Sequence, residues 1–330
     1  MSGGASLPIG VIGVGSLGFH HARILSDLAG AQLVGVSDSD ADRGRRVAEE
    51  LNTTFFADLD ELVGKVEAAV VAVPTTNHAE VALAALRRGV HLLIEKPLAP
   101  TLAEADSILE TAQATGALVA TGHVERFNAA VRACEAYVDG PRFAESHRLS
   151  PFGPRGLDVA VILDLMIHDI DLVLGLVQDT VRSVDAVGIA VLSPSIDIAN
   201  ARLQFGGGTV ANITASRVSR ERMRKIRLFQ PSGYISLDLG AGVGEFLRLR
   251  PGAVLSSPEA LQHGLEGLVE RVELAGDGKE PLRAELESFV AAIRGEGEIV
   301  VTGADGRRAL EVALEIVERT GENAALSGAV

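Results

Sequence analysis

The stretch "PIGVIGVGSLGFHHAR", residues 8–23, decides the fold. Its first half is a short apolar run that stops at glycines. From Ser16 onward the apolar residues recur at helical period, through "SLGFHHARILSDLAG" (16–30). This is a strand turning directly into a helix. The alternation continues outward. "AQLVGVSDSD" (31–40) is a strand and "ADRGRRVAEEL" (41–51) a helix; "AAVVAVP" (68–74) is a wholly apolar strand and "NHAEVALAALRRG" (77–89) a helix closed by Gly89. "VHLLIEKP" (90–97), "TLAEADSILETAQATG" (101–116) and "ALVATGHVERF" (117–127) give strand, helix and strand again. Apolar strands alternating with amphipathic helices are covered on both faces, so the first part of the chain is predicted to be a doubly wound parallel sheet.

The first turn reads Gly13-Val14-Gly15-Ser16-Leu17-Gly18, a G-x-G-x-x-G between strand and helix. Gly13 permits the tight turn, Gly15 the approach of a pyrophosphate to the backbone, and Gly18 the packing of helix on strand. Ser16 and Leu17 complete the loop. Glycines punctuate many such turns, so the motif takes its meaning from context. It opens the first βαβ unit, and Asp38 closes the second strand twenty residues after Gly18, where an acid binds adenosine ribose hydroxyls. In "SDSDAD" Asp38 is also readable as a turn residue or a helix cap. As a ribose ligand it favours NAD, because a carboxylate repels the 2′-phosphate of NADP. Arg43 and Arg45 lie close enough in sequence to keep NADP possible.

At 330 residues the chain exceeds the usual size of a single core, which predicts two domains. A hydrophobic content of 47% with 22% charged residues suits a globular protein with ample core. The net charge of −14 repels phosphate backbones and anionic lipid, so neither nucleic acid nor a membrane is an expected partner. Backbone amides can still bind a small anion locally. Cys134 is the only cysteine, which excludes a disulfide framework and a cysteine-based zinc site. The start, "MSGGASLPIGVIGVG", lacks a basic segment and does not read as a signal peptide, so a cytoplasmic setting is expected. Beyond about residue 125 the pattern changes to alternating strands with glycine-rich turns, "QFGGGTV" (204–210) and "QPSGYI" (230–235) reading as hairpins. The expectation is a large, mainly antiparallel open sheet, closed by helices "EPLRAELESFVAAIRG" (280–295) and "GADGRRALEVALEIVERT" (303–320). Residues 1–124 are assigned to a dinucleotide-binding domain and 125–330 to a substrate-binding and oligomerisation domain, with both chain ends frayed. The strands from about 181 to 250 present two faces, more than the remaining helices can cover, which predicts a homodimer or homotetramer through this sheet.

"DLMIHDID", residues 164–171, places four ionisable groups in the oily run 159–177. A membrane helix is excluded, since each central Asp costs about 2.5–3.5 kcal/mol to insert. At 100° per residue Asp164, His168 and Asp171 fall within about 60° of one another, while Asp169 points elsewhere. A buried unpaired charge is costly, so the stripe is expected to face a polar cleft, for which the carboxyl edge of the parallel sheet between the domains is the natural location. Three readings stay open on these residues alone: a satisfied core histidine with capping acids, a metal site, and a catalytic base. No second His/Asp cluster supports the metal.

Four segments carry a resemblance. "GVGSLGFHHAR", "AVPTTNHAEVALAAL", "EKPLAPTLAEAD" and "DLMIHDIDLVL" fall in the order and spacing of the Gfo/Idh/MocA family, the relatives of glucose–fructose oxidoreductase and inositol dehydrogenase. The resemblance covers nearly the whole chain and implies a Rossmann domain, an NAD or NADP cofactor and oxidation of a sugar hydroxyl to a ketone by hydride transfer. The Glu-Lys-Pro lysine of the family is catalytic; here it is Lys96. The family's Asp and His four apart correspond to Asp164 and His168. A departure is "VAVILD" (159–164), where members often carry a glycine-rich run. "TGHVERFNAAV" (121–131) is similar to a subgroup that includes UDP-N-acetylglucosamine 3-dehydrogenases, which implies the 3-hydroxyl of a nucleotide sugar as the reacting group. A free cyclic polyol or simple sugar is the alternative substrate, and a non-catalytic dinucleotide-binding regulator the alternative from another class.

The implied chemistry accounts for the residue types. Removing a hydroxyl proton while hydride leaves the same carbon needs a base near neutrality, which His168 supplies. The developing alkoxide needs a nearby cation, which Lys96 supplies. Asp164 orients the base or the sugar. Pro74 and His78, just past a strand end, are expected at the cofactor edge, His78 being equally readable as a solvent-facing residue at a helix start. The resemblance places Glu95 near the nicotinamide ribose. His123 and Arg126 follow the last parallel strand and are candidates to meet substrate or to be structural. His20 and His21 are expected to pack on the first helix.

Overall fold

A computed structural model describes residues 6–153, 159–250 and 267–327. The ends expected to fray fall partly outside this range, at 1–5 and 328–330. The chain divides into two units, residues 1–124 with 280–310, and 125–279 with 311–330.

The first unit is built on six parallel strands: β1 (Leu7–Ile12), β2 (Ala31–Ser37), β3 (Thr54–Phe56), β4 (Ala68–Val71), β5 (His91–Glu95) and β6 (Val119–Gly122). Their order, β3-β2-β1-β4-β5-β6, is that of the dinucleotide-binding fold. The helices between them are α1 (Ser16–Leu25), α2 (Ala41–Glu50), α3 (Leu59–Val63), α4 (His78–Leu86) and α5 (Leu102–Thr115). Local chemistry sets their limits. Asp40, Asp58 and Thr101 cap α2, α3 and α5 by accepting backbone N–H groups, and Gly116 ends α5 in the left-handed conformation. Ile9, Val11, Val36, Val70 and Leu93 bury the sheet. One helix comes from far along the chain. Helix α8 (Pro281–Ile293) lays Leu286, Phe289 and Val290 into the same core as Ile24 and Leu25 of α1. Residues 280–310, assigned from sequence to the second domain, therefore pack on the first unit.

The second unit holds an eight-stranded sheet made of β7 (Phe143–Leu149), β8 (Val181–Ile189), β9 (Ile198–Phe205), β10 (Val210–Ser216), β11 (Met223–Gln230), β12 (Gly233–Asp238), β13 (Val243–Leu249) and β14 (Val269–Ala275). The order is β14-β13-β12-β11-β7-β10-β9-β8, and only β7 and β10 pair in parallel among these neighbours. Both expected hairpins form, β9–β10 around Gly208 and β11–β12 around Pro231 and Ser232. Burial alternates along each strand. Ala144, Ala201, Ile213, Ile226 and Leu237 point to a dry face, on which α7 (Ile167–Val177) lies across β7 and β10. The other face remains half-buried or exposed and carries a row of rings, with centroids of Phe143 and Phe229 5.6 Å apart and those of Phe229 and Tyr234 4.9 Å apart. Helix α6 (Ala129–Cys134) packs beside β12 to β14. The last helix, α9 (Gly303–Ser327), belongs by its first residues to one unit and by the rest to the other.

Candidate active site

The glycine turn has the three properties its spacing predicts. Gly13 has φ +85°, and a Cβ there would stand 2.8 Å from the backbone of Ala72 and Val73. A Cβ on Gly18 would collide with the Gly13 carbonyl. At Gly15 a Cβ would meet nothing within 4 Å, so the backbone there is open to an incoming group. The first turn of α1 has no acid and no side-chain cap, which leaves its N–H groups available to an anion. A cleft of about 640 Å³ opens beside it, lined by Gly13, Gly15, Ser16, Leu17, Asp38 and Pro74 among others. These residues fit the pyrophosphate and adenosine of a dinucleotide.

Asp38 stands at this cleft and is neither of its two alternatives alone. The N-cap of α2 is Asp40. Asp38 accepts the Val14 N–H at 2.8 Å and the Asp40 N–H at 2.8 Å, tying the end of β2 to the glycine turn. Arg43 adds two donors, Nε at 3.0 Å and Nη2 at 2.6 Å. Burial works against its charge, but Arg43 and the two N–H groups outweigh that and hold the carboxyl below the usual aspartate range. Arg43 thus lines the cleft, whereas Arg45 turns to Asp42 at 3.3 Å and lies over the Phe55 ring.

Two of the residues expected at the cofactor edge, His78 and Glu95, also make bonds within the first unit. The His78 ring is buried, with Nδ1 2.9 Å from the Pro97 carbonyl and Nε2 3.0 Å from that of Val73. It bridges the loops that follow β4 and β5. Burial holds its pKa below the usual histidine value, although both carbonyls pull the other way. Glu95 meets His21 Nε2 at 2.7 Å through Oε1 and accepts the N–H of Lys96 at 3.2 Å through Oε2. His123 is fully buried. Lys96 is half-buried, at the end of β5, and its peptide bond to Pro97 is cis.

In the second unit the helix bearing "DLMIHDID" starts with a π turn over Ile162–Met166 and becomes α-helical only at Ile167. This corrects the regular helix assumed from sequence. Asp171, the third member of the expected polar stripe, is 1% exposed and receives Arg126 Nε at 2.7 Å and Nη2 at 2.9 Å. The guanidinium occupies the space a Cβ on Gly175 would need. Arg126, a candidate either to meet substrate or to be structural, is thereby clamped to the helix. Asp169 does point elsewhere, into the sheet, where Ser146 Oγ donates at 2.8 Å and Arg148 Nε also donates. Arg148 in turn donates Nη1 to Glu125 at 2.8 Å. Asp164 and His168 are the two ionisable groups of the segment that stay half-buried. Arg148 and Glu125 went unnoticed in the sequence, while His21, expected to pack on the first helix, is buried there against Glu95. Among the described residues no group of three or more His, Cys, Asp or Glu is placed to hold a metal ion.

A strand-order 3-2-1-4-5-6 unit with an open glycine turn, followed by a large mixed sheet, defines a dinucleotide-dependent oxidoreductase class. Residues 7–123 match the model of an oxidoreductase family with an NAD-binding Rossmann fold, and residues 129–236 match the GFO/IDH/MocA C-terminal domain. The chain belongs to the Gfo/Idh/MocA family of NAD-binding oxidoreductases. It is 39% identical over 308 residues, 93% of its length and 95% of the relative's, to the UDP-N-acetylglucosamine 3-dehydrogenase of Acidithiobacillus ferrooxidans. A solved structure of that protein covers 96% of this chain and 98% of its own with a TM-score of 0.87. The myo-inositol 2-dehydrogenase of Thermotoga maritima is 27% identical, covering 92% of each chain.

Proposed function

We propose that this protein oxidises the 3-hydroxyl of a UDP-linked N-acetylhexosamine to a ketone with NAD. The observation that carries this reading is the 39% identity, over 93% of the chain, to a dehydrogenase of that substrate. NAD, when bound, supplies the acceptor for the hydride that leaves the sugar carbon. The remaining work falls to side chains. His168 takes the hydroxyl proton, and Asp164, one turn earlier, orients the imidazole or the sugar. The Lys96 ammonium stabilises the oxygen as negative charge develops on it. The glycine turn and the start of α1 bind pyrophosphate, Pro74 lines the same cleft, and Asp38 binds ribose, with Arg43 able to serve a 2′-phosphate. Residues 125–330, less the segment 280–310, form the substrate side. The uncovered sheet face supports assembly with a second copy, and one buried cysteine suits a reducing compartment such as the cytoplasm.

The test is absorbance of NADH on mixing protein and NAD with UDP-N-acetylglucosamine, UDP-glucose, myo-inositol and glucose. Turnover is expected with UDP-N-acetylglucosamine, and borodeuteride reduction of the product should place deuterium at C3. Turnover confined to the free polyol or free sugar would replace this substrate with the alternative.

A further inference from the structure

The end of β5 holds a buried polar pair that the reaction as proposed does not use. His21 is 0% exposed, its Nε2 lies 2.7 Å from Glu95 Oε1, and the Glu95 side chain is 11% exposed. Glu95 Oε2 accepts the N–H of Lys96 at 3.2 Å. Across the sheet Glu95 pairs with Gly122, and a Cβ there would stand 3.1 Å from Oε2, so the glycine keeps room for the carboxylate. His21 Nδ1 is equally buried and meets no hydrogen-bond partner among the described residues, so the carboxylate is the ring's polar anchor. On the other side of Lys96, His78 holds the Pro97 carbonyl at 2.9 Å. The lysine backbone is thus fixed before and after its side chain.

We propose that His21 and Glu95 are a positioning pair for Lys96, setting the peptide plane from which the lysine side chain leaves the strand. The proposal rests on the reading that Lys96 serves the reacting oxygen. A buried polar pair is a weak source of stability, since apolar residues of similar volume often fill such a space without loss. What apolar residues cannot do is accept the Lys96 N–H or hold a negative charge beside its ammonium. Burial opposes that charge on Glu95, but the His21 bond and the nearby Lys96 keep the carboxyl below the usual glutamate range.

Four variants test this, assayed with whichever sugar of the panel the wild type turns over fastest. His21→Leu is expected to lower kcat about tenfold or more, as a displaced catalytic group does, with the Kd for NAD within about twofold. His21→Gln, which returns an N–H near the Nε2 position, should recover most of the loss. Glu95→Gln keeps the shape of the pair and should lose the same factor as His21→Leu; it carries the test should that variant not fold. In a Lys96→Met background, His21→Leu should cost nothing further, because residues acting as a unit are not additive. Wild-type kcat in both His21→Leu and Glu95→Gln, failure of His21→Gln to recover activity, an undiminished loss in the Lys96→Met background, or a loss confined to NAD binding would overturn the pairing. Wild-type activity in Lys96→Met alone would instead overturn the role of Lys96.

Discussion

His168 stands on a helix whose neighbouring acids are already committed, Asp169 to Arg148 and Asp171 to Arg126. That leaves Asp164 and His168 as the half-buried polar groups of the segment, and their usefulness to a reaction rests on what they do in the transition state. Groups of this kind affect turnover more than affinity. His168→Ala and Lys96→Met should each lower oxidation at least about a hundredfold. NAD binding should be unchanged, since neither residue belongs to the glycine turn; fluorescence titration of NADH checks this. Wild-type activity should rise with pH as the base loses its proton, and that limb should be missing from His168→Ala. Retention of the limb in the variant would assign it to another group.

At the scale of elements, two devices hold the segments that carry these residues. Helix α7 is fastened to β7 by Asp169, which is 0% exposed, and Arg148, which is 3% exposed. Removing one member of a buried pair strands the other, at a cost of roughly 3–5 kcal/mol. Asp169→Asn should fall at the lower end, because Glu125 still holds one branch of the guanidinium; urea unfolding measures it. The second device is the His78 bridge. Its folded pKa is lowered, so below the ordinary value of 6.5 the unfolded chain binds a proton that the folded chain refuses. Stability should therefore rise with pH up to about 6.5 and flatten above it. His78→Gln should show a shallower rise in thermal midpoint between pH 5 and 7, while His91, whose pKa burial also lowers, contributes equally to both proteins. Much at this scale was legible. The alternation of apolar strands and amphipathic helices is local, and so is the glycine turn. Short elements such as β3 and α3 lack a full period, and the π turn over 162–166 leaves no trace in hydrophobic spacing. The pairs were invisible for a different reason: His21 and Glu95 lie 74 residues apart, and only the fold brings them together.

For the molecule as a whole, the second unit presents a broad sheet face that its own described helices do not cover. Phe229, 40% exposed, stacks between Phe143 and Tyr234 on that face. Glu145 and Arg227 pair across neighbouring strands at 3.0 Å, which leaves the face without a strong net charge of its own at that point. Such a surface suits a second copy of the same sheet. Light scattering at micromolar concentration should give a dimer or larger, and Phe229→Glu should reduce the mass while leaving the circular dichroism of the fold intact. A wild-type monomer would count against it.

Helix α8 puts the first unit under an unusual schedule. Leu286, Phe289 and Val290 complete the core around Ile24 and Leu25, yet they are translated after the whole of β7 to β14. A nascent chain of 124 residues thus has its six strands but an open flank against α1. The core of this unit is therefore complete only once residues 280–293 have been made, later than for a domain built from one contiguous segment. For the same reason, a fragment ending at residue 124 is expected to bare the apolar flank of α1 and to unfold at a lower temperature than the whole chain.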